Sequence, residues 1–171
     1  MTDEVSTTRR FLYELQNDWG KGDLYRDTPI RFLGYANEIG EAFRAWIPVA
    51  AVKATYVVAS SYVIADAFDK THKVYKKPFQ SKVERHKQLG ITLLDTLAWQ
   101  TFASVIIPGM TINRLVATST FGLKKFSRLA PTSIKLVSTG LGLVTIPFIV
   151  RPIDAFVEVG MEHSLRKLYS N

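Results

Sequence analysis

The sequence predicts an all-α, multi-pass membrane protein with about three transmembrane helices and flanking amphipathic helices. Charge segregation is the first observation behind this reading. Between Trp46 and Ala65 the only charged residue is Lys53, between Gln88 and Asn113 the only one is Asp95, and Leu136–Val150 has none. A helix of a water-soluble domain needs a polar face at helical period, and these runs nearly lack one. The second observation is what separates the runs. Residues 66–87 carry 7 bases and 3 acids, and residues 114–135 carry 5 bases and no acid. Long apolar runs alternating with basic segments form the pattern of a polytopic membrane chain. The competing arrangement is three buried helices of a soluble bundle, which charges inside two of the runs would suit.

Composition narrows the rest. A chain of 171 residues fits one domain. At 47% hydrophobic and 22% charged residues, disorder throughout is excluded. The absence of cysteine excludes a disulfide scaffold, a zinc–cysteine site, an iron–sulfur cluster and a cysteine nucleophile. A net charge of +7 points to acidic partners, either anionic lipid or nucleic acid.

The first 22 residues read as a flexible N-terminal extension, with residues 23–171 forming one helical membrane domain. No apolar core follows Arg9-Arg10, so the extension is not a secretory signal. Asp3, Glu4, Glu14 and Asp18 make it a poor cleaved presequence, so internal targeting is expected. Residues 28–47 read as an amphipathic helix, with Thr28 as cap and Pro29 in the first turn. Leu33, Ala36, Ile39, Gly40, Phe43 and Ile47 form its apolar side, and Asn37, Glu38, Glu41 and Arg44 fill the other. Such a helix is expected on the membrane surface or packed on the bundle.

Spans are expected at residues 46–67, 92–113 and 134–153, against about 20 apolar residues needed to cross a bilayer. The uncharged core of the third is short. It reaches span length with Lys135 snorkelling and the helix continuing through Pro152-Ile153. Lys53 and Asp95 lie near the ends of their runs. A charge at the bilayer centre costs about 2.5–3.5 kcal/mol on insertion scales, so a snorkelling lysine and an interfacial aspartate are expected. Ala51, Thr55 and Ala59 are spaced by four, a small-residue stripe that suits close helix packing. Lys53, Tyr56 and Ser60 make a polar stripe on another face, and Thr96 and Gln100 make one on the second span. Contacts between helices or a wet cleft suit such stripes better than lipid does. Pro108-Gly109 and Pro147 are expected to kink their helices, with Thr111 and Thr145 near enough to satisfy freed carbonyls.

Between the first two spans, Lys70–Lys87 holds seven bases and is broken by Pro78, so it reads as a loop. Lys73, Lys76, Lys77 and Lys82 are expected to contact an anionic leaflet. Nucleic acid is the rival partner. Only Tyr75 and Phe79 offer stacking surface there and no nucleic-acid motif is present, so none is expected to bind. The two basic segments between spans face opposite sides, which leaves the positive-inside rule balanced. Residues 153–168 read as a second amphipathic helix, with Glu158, Glu162 and Arg166 as an exposed ladder.

Catalytic motifs are missing. There is no G-x-S-x-G and no phosphate-binding loop, and Gly140-Leu141-Gly142 lacks the third glycine of a dinucleotide site. His72, His86 and His163 show no ligand spacing. Pro152-Ile153-Asp154 lacks the base that a mitochondrial-carrier element would need at Val157. No enzyme activity, cofactor or metal is expected.

Longer words in the sequence are more specific. Asp23-Leu24-Tyr25-Arg26-Asp27-Thr28 and Arg31–Arg44 resemble the opening block of the mitochondrial fission process protein 1 family. So do Val58–Val63, Asp95-Thr96 with Trp99-Gln100, Ala103–Gly109, Thr111–Arg114, Ile146-Pro147, Pro152-Ile153-Asp154 and Ser164–Tyr169, in the same order. The extension is longer than that family's, and Lys53 replaces an apolar residue. The resemblance implies a multi-pass protein of the mitochondrial inner membrane that promotes division, linked to inner-membrane integrity and to cell survival. It carries no catalytic residues. The expected partners are therefore inner-membrane lipid, chiefly anionic, and other membrane proteins. Rival functions are a transporter or channel, suggested by Lys53, Asp95 and Gln100 at membrane depth, and an accessory subunit of a respiratory assembly.

Overall fold

In this computed structural model the described residues are 25, 28–79 and 81–169, and the expected extension over residues 1–22 lies outside them. Every element among the described residues is helical. A 3-10 helix, Pro29–Tyr35, opens the described chain, with the Thr28 hydroxyl accepting from the Ile30 amide. It runs into α1, Ala36–Ala42. Thus residues 28–47 are not the single amphipathic helix that their periodicity predicts. The 3-10 stretch rises more per residue than an α-helix. Together the two short helices seat Gly34 against Tyr62 and Gly40 against Thr55.

Helix α2, Val49–Tyr75, begins at Pro48 and outruns the expected span by two turns. Its last turns are held by the ion pairs Lys70–Asp66 and Lys73–Asp69, both 2.7 Å. The basic stretch is therefore largely helical. Lys70 is a buried ion-pair partner and not a loop base, and only residues 76–81 connect α2 to the next helix. Ser81 caps α3, Lys82–Gln100, by accepting from the Val83 amide. A π-helical segment, Thr101–Ile106, then leads into α4, Ile107–Phe126, so that residues 82–126 form one continuous rod. Pro108 has no N–H to return to the preceding turn, and the widened turns sit directly before it. A π-bulge of this kind is common at functional sites.

Pro131 opens α5, Pro131–His163, which contains both Pro147 and Pro152. The expected separate helix over residues 153–168 is thus mostly the far half of α5. The chain breaks only at Ser164, before the short α6, Leu165–Tyr169. Thr111 and Thr145 each donate to the carbonyl four residues back, Ile107 and Leu141. Neither satisfies a carbonyl freed by proline, because a threonine's reach along its own helix ends at that turn.

Short connections make α2 and α3 one antiparallel hairpin, and α4 and α5 another. Helix α1 wedges between α2, α4 and α5. Three small apolar clusters hold the bundle. One joins Ala59, Tyr62 and Val63 to Val105. Another joins Ala103 to Ile153, Val157 and Met161. The third joins Ala42 to Ile112 and Val116.

The distribution of side chains is inverted relative to a water-soluble bundle. Val57, Phe68, Phe121, Val144, Phe148 and Phe156 point outward, whereas Asn37, Glu38, Glu41, Asp66, Thr92, Asp95 and Gln100 are buried. Three helical rods, Val49–Tyr75, Lys82–Phe126 and Pro131–Tyr169, are long and apolar enough to cross a membrane.

A buried polar seam as the candidate functional site

Helix α1 turns its polar side inward. Asn37, Glu38 and Glu41 are 0%, 1% and 2% exposed, while Phe32, Leu33, Ile39 and Phe43 face outward. Of the two expected positions the helix takes the one packed on the bundle, and it does so through Asn37, Glu38, Gly40 and Glu41, while Arg44 stays exposed. Lipid offers no hydrogen bonds, so polar side chains find their partners inside the bundle and apolar ones cover the outside.

Glu41 is the best satisfied of these groups. Arg44 donates to it through Nε and Nη2, both at 2.6 Å. Tyr56 Oη of α2 donates to Oε1 at 3.0 Å, and Asn113 Nδ2 of α4 donates to Oε2 at 2.7 Å. Burial alone would push this carboxyl up. The donors and the Arg44 charge outweigh burial and hold it below the usual carboxylate range. One turn earlier, Asn37 Nδ2 donates to the Val105 carbonyl of the π segment at 2.9 Å. Gly109 lets this happen. A Cβ there would lie 2.6 Å from Tyr56 Oη and 2.9 Å from Asn37 Nδ2.

Two further clusters lie along the same interior. Asp66 accepts from Lys70 Nζ at 2.7 Å and from Gln100 Nε2 at 2.5 Å, and Ser104 donates to Gln100 at 2.6 Å. Asp95 accepts from Arg166 Nε and Nη2 at 2.9 and 3.0 Å, and Arg166 also pairs with Glu158. The expected exposed ladder of Glu158, Glu162 and Arg166 is therefore broken. Arg166 folds back across 71 residues of sequence to clasp α3.

A cavity of about 400 Å³ opens between these clusters. Arg31, Glu38, Tyr62, Trp99, Arg151 and Asp154 are among its walls. Glu38 Oε2 and Trp99 Nε1 are buried there without a hydrogen-bond partner among the described residues. Burial pushes the Glu38 carboxyl up to about 8, so it is largely protonated at neutral pH.

The residues singled out from sequence fall as follows. Ala59 is fully buried, Ala51 and Thr55 are half-buried, and Thr55 faces Gly40 of α1. Lys53 lies on the exposed face of α2, whereas Asp95 and Gln100 are buried in the ion-pair clusters described above. Lys73 pairs with Asp69 on α2, Lys76 and Lys77 lie in the connection, and Lys82 opens α3. Glu41, Asn37, Asn113 and Arg166 do not stand out from spacing. The one available signal is the small-residue setting of the acids in Asn37-Glu38-Ile39-Gly40-Glu41-Ala42, which allows close burial.

An outward apolar coat around an inward polar seam, carried on three spanning rods, defines a multi-pass helical membrane protein. Within that class the chain belongs to the Mitochondrial 18 KDa protein family, whose pattern matches residues 26–89 and 69–161. It is 50% identical over 150 residues to Mitochondrial fission process protein 1 of Caenorhabditis elegans, covering 88% of this chain and 90% of that one. It is 50% identical over 147 residues to the protein of the same name in Homo sapiens, covering 86% and 88%. An uncharacterized protein of Acanthamoeba polyphaga mimivirus, R740, is 31% identical over 143 residues, covering 81% and 74%. No solved structure matches.

Membrane insertion has a direct check. Alkaline carbonate treatment of the membrane fraction is expected to leave the protein in the pellet. Release into the supernatant would restore the soluble bundle, because ion pairs and hydrogen bonds alone do not anchor a chain against high pH.

Proposed function

We propose that this chain is a non-enzymatic protein of the mitochondrial inner membrane that promotes mitochondrial fission and supports inner-membrane integrity. The supporting observation is the extent of the similarity. Relatives named for the fission process match at half identity over 86–88% of the chain, and the family pattern runs from residue 26 to residue 161, through α1 and most of the three rods. The working parts are then surfaces. Outward apolar faces meet lipid and other membrane proteins. Lys76, Lys77 and Lys82, joined by Lys73 at the end of α2, sit where two rods meet and lie beside an anionic leaflet. Each base near such a surface contributes about 1 kcal/mol, screened within a Debye length.

Removing the protein from cells is expected to lengthen the mitochondrial network, and restoring it is expected to shorten the network again. Restoring a form with Lys73, Lys76, Lys77 and Lys82 all changed to Gln is expected to shorten it only in part. An unchanged network after removal would sink the fission reading. Full rescue by the four-lysine variant, with topology intact by protease protection in mitoplasts, would remove the basic turn from the mechanism.

A further inference from the structure

We infer that the cavity between the 3-10 helix, α2, the π segment and α5 is a binding site for the headgroup of a zwitterionic phospholipid. Its depth is the first argument. Arg151 and Asp154 directly follow the uncharged run Leu136–Val150, Trp99 and Gln100 lie near the start of the run Thr96–Ile112, and Tyr62 lies near the end of the run Trp46–Ala65. All three rods therefore pass from apolar to polar at this level, which is where lipid headgroups lie. The cavity's size falls within the range of small-molecule sites, about 300–1,000 Å³.

Its chemistry has two halves. Arg31 and Arg151 supply planar donors of the kind that hold phosphate. Asp154 and the Trp99 ring suit an ammonium group, by charge and by cation–π attraction, whereas Tyr35 already carries the Arg31 guanidinium over its ring and Tyr62 packs edge-on against Tyr25. Glu38 Oε2 and Trp99 Nε1 in the same wall are buried polar atoms with no mate among the described residues. Such groups are rare in native interiors and ask for an explanation. The phosphodiester and ester carbonyls of a phospholipid would accept from Trp99 Nε1, and its ammonium would donate to Glu38 Oε2. Apolar side chains flank the lining positions: Leu33 beside Gly34, Phe102 beside Ala103, and Phe148 two residues before Val150 all face outward. Acyl chains attached to a headgroup held in the cavity would have an apolar surface to lie on.

The site rests on the membrane reading and not on the role in fission. The test uses the full chain reconstituted in nanodiscs containing equal phosphatidylethanolamine and phosphatidylglycerol, followed by native mass spectrometry of lipid retained after release. Retained phosphatidylethanolamine is expected to exceed phosphatidylglycerol. In the Arg31→Gln, Arg151→Gln double variant it is expected to fall roughly tenfold, the scale of lost charge-assisted hydrogen bonds. Arg128→Gln, an exposed base in the α4–α5 connection, is expected to retain as much as the parent chain. Equal retention in parent and double variant would overturn the site. Preference for phosphatidylglycerol would overturn the zwitterionic assignment. Displacement of the retained lipid by millimolar glycerophosphoethanolamine or inorganic phosphate would show a site for soluble phosphates and overturn the lipid assignment. Chain that carbonate extracts would fail the membrane reading separately, before any lipid is measured.

Discussion

Glu41→Ala is expected to destabilise the folded protein by about 3 kcal/mol, the scale of breaking a buried, charge-assisted hydrogen-bond network. Four donor contacts converge on this carboxylate, which is almost fully buried. The loss is not uniform. The Arg44 side chain is 40% exposed and can turn toward water or headgroups, so its share is small. Tyr56 and Asn113 are half-buried and reach Glu41 from helices packed around it, where lipid offers them no replacement acceptor. Leaving a buried donor unpaired costs about 1–3 kcal/mol. Glu41→Gln keeps one acceptor oxygen and is expected to lose roughly half as much. Unfolding in mixed micelles titrated with sodium dodecyl sulfate measures both. A loss under about 1 kcal/mol for the alanine variant would mean that the network is solvated and the inward polarity of α1 contributes little.

The second large effect is steric. Gly40→Ala would place a Cβ 2.0 Å from Thr55 Oγ1, 2.9 Å from Thr55 Cβ and 3.0 Å from Thr55 Cγ2. The obstacle is a β-branched side chain with one preferred helical rotamer. Thr55 Oγ1 also donates to the Val52 carbonyl at 2.7 Å, so it is held in place. Helix α1 must therefore lift away from α2, which loosens Glu41 and Asn37 together. Overpacking of this kind costs about 1–3 kcal/mol, and the coupled hydrogen bonds push the expected loss to the upper end. A double-mutant cycle with Thr55→Ala separates the causes. Removing Oγ1 and Cγ2 is expected to recover much of the loss, and strict additivity of the two changes would sink the steric account.

Much of this architecture was legible because it depends on local composition. Long charge-poor runs mark the three rods whatever they pack against. Pro48, Ser81 and Pro131 mark helix starts by their own chemistry. Helix ends were less legible. The Asp66–Lys70 and Asp69–Lys73 pairs extend α2 through residues that look like a loop when only their charge is counted. Helix α5 runs through both Pro147 and Pro152 and on to His163, well past the expected end of the third span at residue 153. Which way α1 turns its two faces was not legible, for a deeper reason. Amphipathic spacing says that two faces differ, but it does not say which solvent each meets. In water Asn37, Glu38 and Glu41 belong outside, and beside lipid they belong inside. The seam itself was out of reach, since Arg166 with Asp95 and Asn113 with Glu41 are pairs separated by more than 70 residues.

The seam also imposes an order on assembly. Glu41 is completed by Asn113, 72 residues downstream, and Asn37 by the Val105 carbonyl, 68 residues downstream. A chain that enters its membrane N-terminus first presents α1 before either partner exists on that side of the insertion machinery. Until the second rod arrives, α1 can shelter its acids only in water or headgroups. Its seat is thus filled after the segments that follow it, and the N-terminal end of the domain becomes the closing step of biogenesis. A product truncated between α3 and α4 would carry α1 with only α2 to pack against, its Glu41 and Asn37 lacking Asn113 and the Val105 carbonyl. That exposed, unmatched helix would distinguish an unfinished chain from a finished one for any protease surveying the membrane.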